Sequence, residues 1–195
     1  MHKFLPKIYY FVDKFDHKEL KTIKNNIGII YRNYNENVDE KTINSIKKYC
    51  KNNNQKFFLS NHLKMAIKLK LDGLYLPSFN NRLNTKNYNF PDKFNIIGSA
   101  HNEKDIKIKE KQGCSLVFLA PVFKVSKKFQ FLDITNFNKL SQNKKIRLIA
   151  LGGINESNIK KINLLNCYGF AGISWIKKNG LNKFRPFLNC LNRSN

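Results

Sequence analysis

The Gly152-Gly153 pair carries the first chemical signal in the sequence. It follows the apolar run Leu148-Ile149-Ala150-Leu151, and Asn155-Glu156-Ser157 reads as the start of a helix after it. Glycine accepts positive φ and lets a ligand approach the backbone with no Cβ in the way. The first amides of a helix are unpaired and carry partial positive charge. The pair is therefore either a phosphate seat or only a tight strand-to-helix turn. Other residues have compatible chemistry: Arg32, Asn61, His62, Ser99, His101, Lys127, Lys128 and the pair Ile173-Ser174. Hydrogen-bond donors and cations with few carboxylates suit phosphorylated ligands. The set offers no paired carboxylates for acid/base work and no Ser-His-Asp arrangement.

The elements that must bring these residues together alternate along the chain. Apolar, β-branched and aromatic runs predict strands at residues 7–12, 27–32, 56–60, 73–76, 94–99, 115–120, 146–151 and 168–174. Between and after them, helices are predicted near residues 16–24, 39–51, 61–71, 102–112, 134–141, 155–165 and 181–191. Asp39 caps the second of these, and Gly113 stops the one that begins at Asn102. Residues 77–92 are polar and Asn-rich, so a helix there is weak or absent. Eight β/α units with little spare length predict an α/β fold, a (β/α)8 TIM barrel, in a single domain over residues 1–195. A flavodoxin-like or Rossmann sheet is the alternative, but it uses five or six strands, and no GxGxxG is present.

Barrel chemistry sits at the C-terminal ends of the strands, with phosphate in the loops after strands seven and eight. Gly152-Gly153 and Ile173-Ser174 fall there. Each candidate also has a plainer reading. Asn61 serves equally as an N-cap for the third helix. Ser99 caps the helix after strand five, His101 is a helix-start residue, and Lys127 and Lys128 are two solvated lysines among many. Arg32 at a barrel mouth is read as a ligand contact.

The formal charge of +23 raises nucleic acid as a partner. The excess is mostly lysine, spread over presumed outer helix faces at Lys64, Lys68, Lys70, Lys104, Lys107, Lys109 and Lys111. Abundant Asn and Ile beside it suggest compositional bias, so no specific nucleic-acid binding is expected. The apolar start is broken by Pro6 and Lys7, so no secretory signal is expected, and the longest apolar run, residues 116–123, is too short for a bilayer. Four scattered cysteines without a CxxC argue against zinc or a disulfide scaffold and fit a cytoplasmic location. Oligomeric state is not specified by the sequence.

Four segments in order resemble the thiamine phosphate synthase / TenI family. They are Leu59-Ser60-Asn61-His62 with Asp72-Gly73-Leu74-Tyr75-Leu76, then Ile97-Gly98-Ser99-Ala100-His101, then Ala120-Pro121-Val122-Phe123, and last Ala150-Leu151-Gly152-Gly153-Ile154 with Gly169-Phe170-Ala171-Gly172-Ile173-Ser174. The resemblance implies a transferase of thiamine biosynthesis. Hydroxymethylpyrimidine diphosphate loses pyrophosphate, and the nitrogen of thiazole phosphate captures the pyrimidine methyl cation. It implies Gly152, Gly153, Ile173 and Ser174 at the thiazole phosphate. It implies Arg32, Asn61 and Lys127 or Lys128 at the pyrophosphate, with Ser99 near the leaving group. It also implies Mg²⁺, but the family's two aspartate ligands are here His62 and Asn80. The second-strand Gln-x-Arg-x-Lys is reduced to Ile30-Tyr31-Arg32-Asn33-Tyr34. Pro121 stands where the tautomerase branch has its catalytic His. The alternative expectation is a degenerate barrel that binds a phosphorylated heterocycle without synthase activity.

Overall fold

Alternation of side chains along eight short strands builds the molecule. The computed structural model describes residues 5–21, 26–34, 39–126 and 130–172, apart from the side chain of Lys86. The strands are β1 (Ile8–Val12), β2 (Ile27–Tyr31), β3 (Lys56–Ser60), β4 (Gly73–Leu76), β5 (Asn95–Ala100), β6 (Leu116–Leu119), β7 (Arg147–Leu151) and β8 (Gly169–Gly172). Each pairs in parallel with the next, and β8 returns to β1, so the sheet is a closed barrel. The (β/α)8 expectation holds in its sheet.

Every second residue points into the barrel. Tyr9, Phe11, Phe58, Tyr75, Phe118 and Ile149 belong to that buried interior cluster. Tyr9 and Phe118 meet edge to face at 5.0 Å, and Phe11 meets Tyr75 at 5.3 Å, both favoured aromatic geometries. Gly28 on β2 leaves the room: a Cβ there would stand 2.3 Å from the Tyr9 ring. The intervening residues, such as Ile29, Leu59, Leu74, Val117 and Leu148, face outward and pack under the helices. Burial on both faces is why the strands read as nearly continuous apolar runs.

The described helices are α1 (His17–Lys21), α2 (Glu40–Asn52), α3 (Leu63–Lys68), α4 (Glu103–Lys111) and α5 (Asp133–Ser141). Asp39 caps α2 as expected, accepting from the amides of Lys41 and Thr42. On α2, Ile43, Ile46 and Cys50 are buried, and the Tyr49 hydroxyl donates to the Leu20 carbonyl at 2.7 Å. Asn102 caps α4 through Asp105 N–H at 2.9 Å, and Gly113 past its end has φ +80°. Ser99 therefore caps nothing; it lies inside β5.

Other local expectations are corrected. Asn61 is not an N-cap: its φ is +64°, and α3 begins after His62 without a side-chain cap. No helix opens at Asn155. Asn155 Oδ1 takes the Ser157 amide and Asn158 Oδ1 takes the Asn155 amide, each at 2.9 Å, and only a 3₁₀ helix, Ile159–Leu164, follows. Asn side chains compete with the helical ladder for the same amides. Lys109 is not on an outer face; it is 0% exposed. Residues 77–92 hold one 3₁₀ turn, Asn84–Asn87, in place of a helix. The helix expected at 181–191 lies outside the described residues.

Cys50, Cys114 and Cys167 are free thiols. Burial pushes the thiols of Cys50 and Cys114 up to about 12. A thiol reagent at pH 8 meets almost no thiolate at either, because the thiolate is the nucleophile. Peptide mapping after iodoacetamide treatment should find both unmodified in the folded protein and alkylated after denaturation. Rapid native labelling of either would contradict this packing.

Candidate active site at the barrel mouth

The strand ends gather polar groups above the aromatic interior. On β2 the inward register set by Ile30 continues to Arg32, whose amide still bonds to the Val12 carbonyl at 2.8 Å. Its guanidinium lies 4.9 Å from the Phe11 ring centroid and 5.7 Å from that of Tyr34. Two aromatic faces fix the plane of the cation without neutralising its charge. Tyr75 lies below. Burial raises its phenol to about 12, against the opposing pulls of Ser99 and Arg32 beside it. Ser99 and Ser60 are both buried at inward strand positions. Ser60 Oγ has no hydrogen-bond partner among the described residues. Partial burial also raises the Tyr34 phenol, with Arg32 beside it pulling it back. Arg32 and Ser99 thus both lie beside Tyr75, at one place. Ser60, Tyr34 and Tyr75 are additional members of it. The inward parity shared by Phe58 and Ser60 is the sequence signal that finds Ser60.

Beside them, Asn80 Nδ2 donates to Asn61 Oδ1 at 2.5 Å. Asn61, His62 and Asn80 line a cleft of about 880 Å³ between α3 and the 77–88 segment. Burial lowers the pKa of His62, favouring neutral imidazole. His101 Nδ1 is 2.6 Å from the Ala120 carbonyl, and its Nε2 is 3.3 Å from Ser78 Oγ. A carbonyl can only accept, so Nδ1 carries the proton in this contact. His101 therefore bridges the ends of β4, β5 and β6 and is more than a helix-start residue. Among the described residues, no group of three or more His, Cys, Asp or Glu side chains converges on a common point.

The Gly152-Gly153 turn closes a separate cavity of about 310 Å³, lined also by Lys124, Ser126, Asn155 and Gly172. Both glycines have positive φ, +92° and +73°. Asn158 Nδ2 holds the Gly153 carbonyl at 2.7 Å. The turn is anchored by asparagine side chains, so the helix-dipole contribution expected from Asn155 onward is absent. The loop after β6 meets it: Phe123 N–H donates to the Gly152 carbonyl at 3.1 Å, just past the cis Ala120–Pro121 bond. Lys127, Lys128, Ile173 and Ser174 lie outside the described residues.

Arg32, Asn61, Ser99, Gly152 and Gly153 all stand at or just past the C-terminal ends of their strands, where barrels of this class carry their ligands. The protein is a (β/α)8 barrel. The family model for thiamine monophosphate synthase matches residues 21–176, and the chain belongs to that family. A thiamine-phosphate synthase of Prochlorococcus marinus is 28% identical over 149 residues, covering 73% of this chain and 43% of that protein. A thiamine-phosphate synthase of Coprothermobacter proteolyticus is 29% identical over 131 residues, 66% of this chain and 62% of that one. The chain thus spans about half the length of these curated relatives. In fold it is similar to a thiamine phosphate pyrophosphorylase from Pyrococcus furiosus, with a TM-score of 0.75, 17% identity and 95% of each chain covered. Among the described residues no helix is long and apolar enough to cross a membrane.

Proposed function

We propose that this barrel, as one domain over residues 1–195, is a transferase of thiamine-phosphate-synthase type. It joins hydroxymethylpyrimidine diphosphate to thiazole phosphate and releases pyrophosphate. The bond that breaks is pyrimidine CH₂–O, and the bond that forms is CH₂–N to the thiazole. The observation that carries this reading is Arg32, against the Phe11 and Tyr34 rings and beside the Tyr75 that Ser99 also meets, with the Gly152-Gly153 cavity at another part of the same mouth. Negative charge growing on a departing pyrophosphate needs fixed cations and donors already in position. Arg32 supplies them here, with Asn61 and Lys127 or Lys128 assigned to the same group, while Ser99 donates near the leaving oxygen. Gly152, Gly153, Ile173 and Ser174 hold the thiazole phosphate.

The mouth does not fit the Mg²⁺ that family membership implies. A hard divalent cation takes carboxylate oxygens. By the resemblance, His62 and Asn80 stand at the two aspartate positions, and the Asn80 amide is bonded to Asn61. We assign no step to the metal. That amide pair is also the observation favouring the second reading, a barrel that binds a phosphorylated heterocycle without turnover. Proton-shuttling tautomerase chemistry is disfavoured by Pro121. The partners in either reading are small phosphorylated molecules, with neither specific nucleic acid nor membrane, and the location is cytoplasmic.

Incubation with both substrates, in Mg²⁺ and separately in EDTA, should yield thiamine phosphate and pyrophosphate in equal amounts. Product in EDTA is expected if fixed cations have replaced the metal. Binding of thiazole phosphate with no product in either buffer would leave only the second reading.

A further inference from the structure

The segment between β4 and β5 has lost its helix, so its backbone carbonyls need partners from elsewhere. Lys109 on α4 provides them. Its fully buried ammonium donates to the Pro77 carbonyl at 2.8 Å, the Asn80 carbonyl at 2.7 Å and Gln112 Oε1 at 2.9 Å. Those are three acceptors for three protons. Gln112 completes the clamp: its Nε2 donates to the Asn80 carbonyl at 2.8 Å and the Arg82 carbonyl at 2.9 Å. Thr85 Oγ1 ties the far end back to the Gln112 carbonyl at 2.9 Å. Gly98 on β5 lies under the lysine stem, where a Cβ would stand 2.8 Å from Lys109 Cδ.

A buried charge bonded only to neutral oxygens is an expensive way to pack a helix against a loop, since an apolar side chain avoids the desolvation cost. What the charge achieves is a fixed loop shape. That loop carries Asn80, bonded to Asn61, and Ser78, bonded to His101, both at the mouth. We propose that Lys109, with Gln112, is a positioning residue that presents Ser78 and Asn80 to the diphosphate side of the site. The identity of that ligand rests on the synthase reading; the clamp itself does not.

The test uses the full chain with Lys109→Met, which keeps the stem and removes the three donors. Amides of residues 78–88 should exchange about tenfold faster with D₂O, while those of β7 and β8 stay protected. The KM for hydroxymethylpyrimidine diphosphate should rise about tenfold, with the KM for thiazole phosphate changed less than about twofold. Unchanged exchange, or both KM values rising together, overturns the proposal. If the wild-type protein shows no turnover, the synthase reading fails and the exchange measurement still decides the clamp. If Lys109→Met does not fold, Gln112→Ala removes the donors to Asn80 and Arg82 together with one acceptor of the Lys109 ammonium. It should show the same regional loss of protection, and exchange identical to wild type would overturn the clamp.

Discussion

Replacing Arg32 with Ala should lower kcat with the pyrimidine diphosphate by about 100- to 1000-fold, the usual consequence of removing one fixed donor from a developing anion. The KM for thiazole phosphate should move little, because Gly152 and Gly153 belong to another cavity of the mouth. Lysine is not expected to rescue the loss. The guanidinium is held as a plane between Phe11 and Tyr34, at 4.9 and 5.7 Å from their centroids, and a lysine ammonium on a flexible stem keeps neither the plane nor the fork of donors. Steady-state kinetics varying each substrate in turn separate the two sides. An equal rise in the KM values of both substrates would contradict a divided site. Wild-type kinetics from Arg32→Ala would remove the cation from the mechanism altogether.

Gly153→Ala should cost about 100-fold in thiazole phosphate affinity, since displacing a binding loop by about an ångström has that order of effect. Two causes combine. The backbone has φ +73°, and a new Cβ would sit 2.3 Å from the Phe123 carbonyl oxygen and 2.7 Å from that of Lys124. Both contacts are backbone, so no side chain can swing aside; the loop after β6 itself must move. Gly113 provides the control. It has φ +80° with nothing within 4 Å of an added Cβ, so Gly113→Ala carries conformational strain alone, about 1–2 kcal/mol. Titration calorimetry with thiazole phosphate should show the large loss only at Gly153. Equal binding by the two variants would show that the turn does not shape the phosphate cavity.

The barrel was legible because two-sided burial writes itself as apolar runs. The strand at residues 56–60, the Asp39 cap and the Gly113 stop all fall where their chemistry demands. In the candidate site, residue type and strand-end position were enough to single out Arg32 and Gly152-Gly153 as candidates, and the structure places both at strand ends. The site was not legible where asparagine side chains rewrite the backbone. The run Asn155 to Asn158 looks like a helix start, but its amides bond to its own side chains. Asn61 looks like a cap and instead takes positive φ and bonds to Asn80. Lys109 failed for another reason. Among so many solvated lysines, nothing local distinguishes the one whose carbonyl partners lie some thirty residues away, a sequence separation of 32 for Pro77. Ser60 is visible in the sequence as a strand-end residue, and its parity with Phe58 turns it inward.

The closure of the sheet has a consequence for how the chain comes together. The seam between β1 and β8 pairs Ile8 with Phe170, and the Tyr168 hydroxyl locks onto the Leu5 carbonyl at 2.7 Å across a sequence separation of 163. During synthesis β1 therefore waits until β8 has emerged, with one hydrogen-bonding edge open. Contacts this distant carry a large loop-closure cost before they return any stability, which slows folding. Meanwhile β1 can already pair with β2 and β2 with β3, so a growing open sheet precedes the ring, and its unpaired edge is the part of the nascent molecule most exposed to pairing with the wrong neighbour.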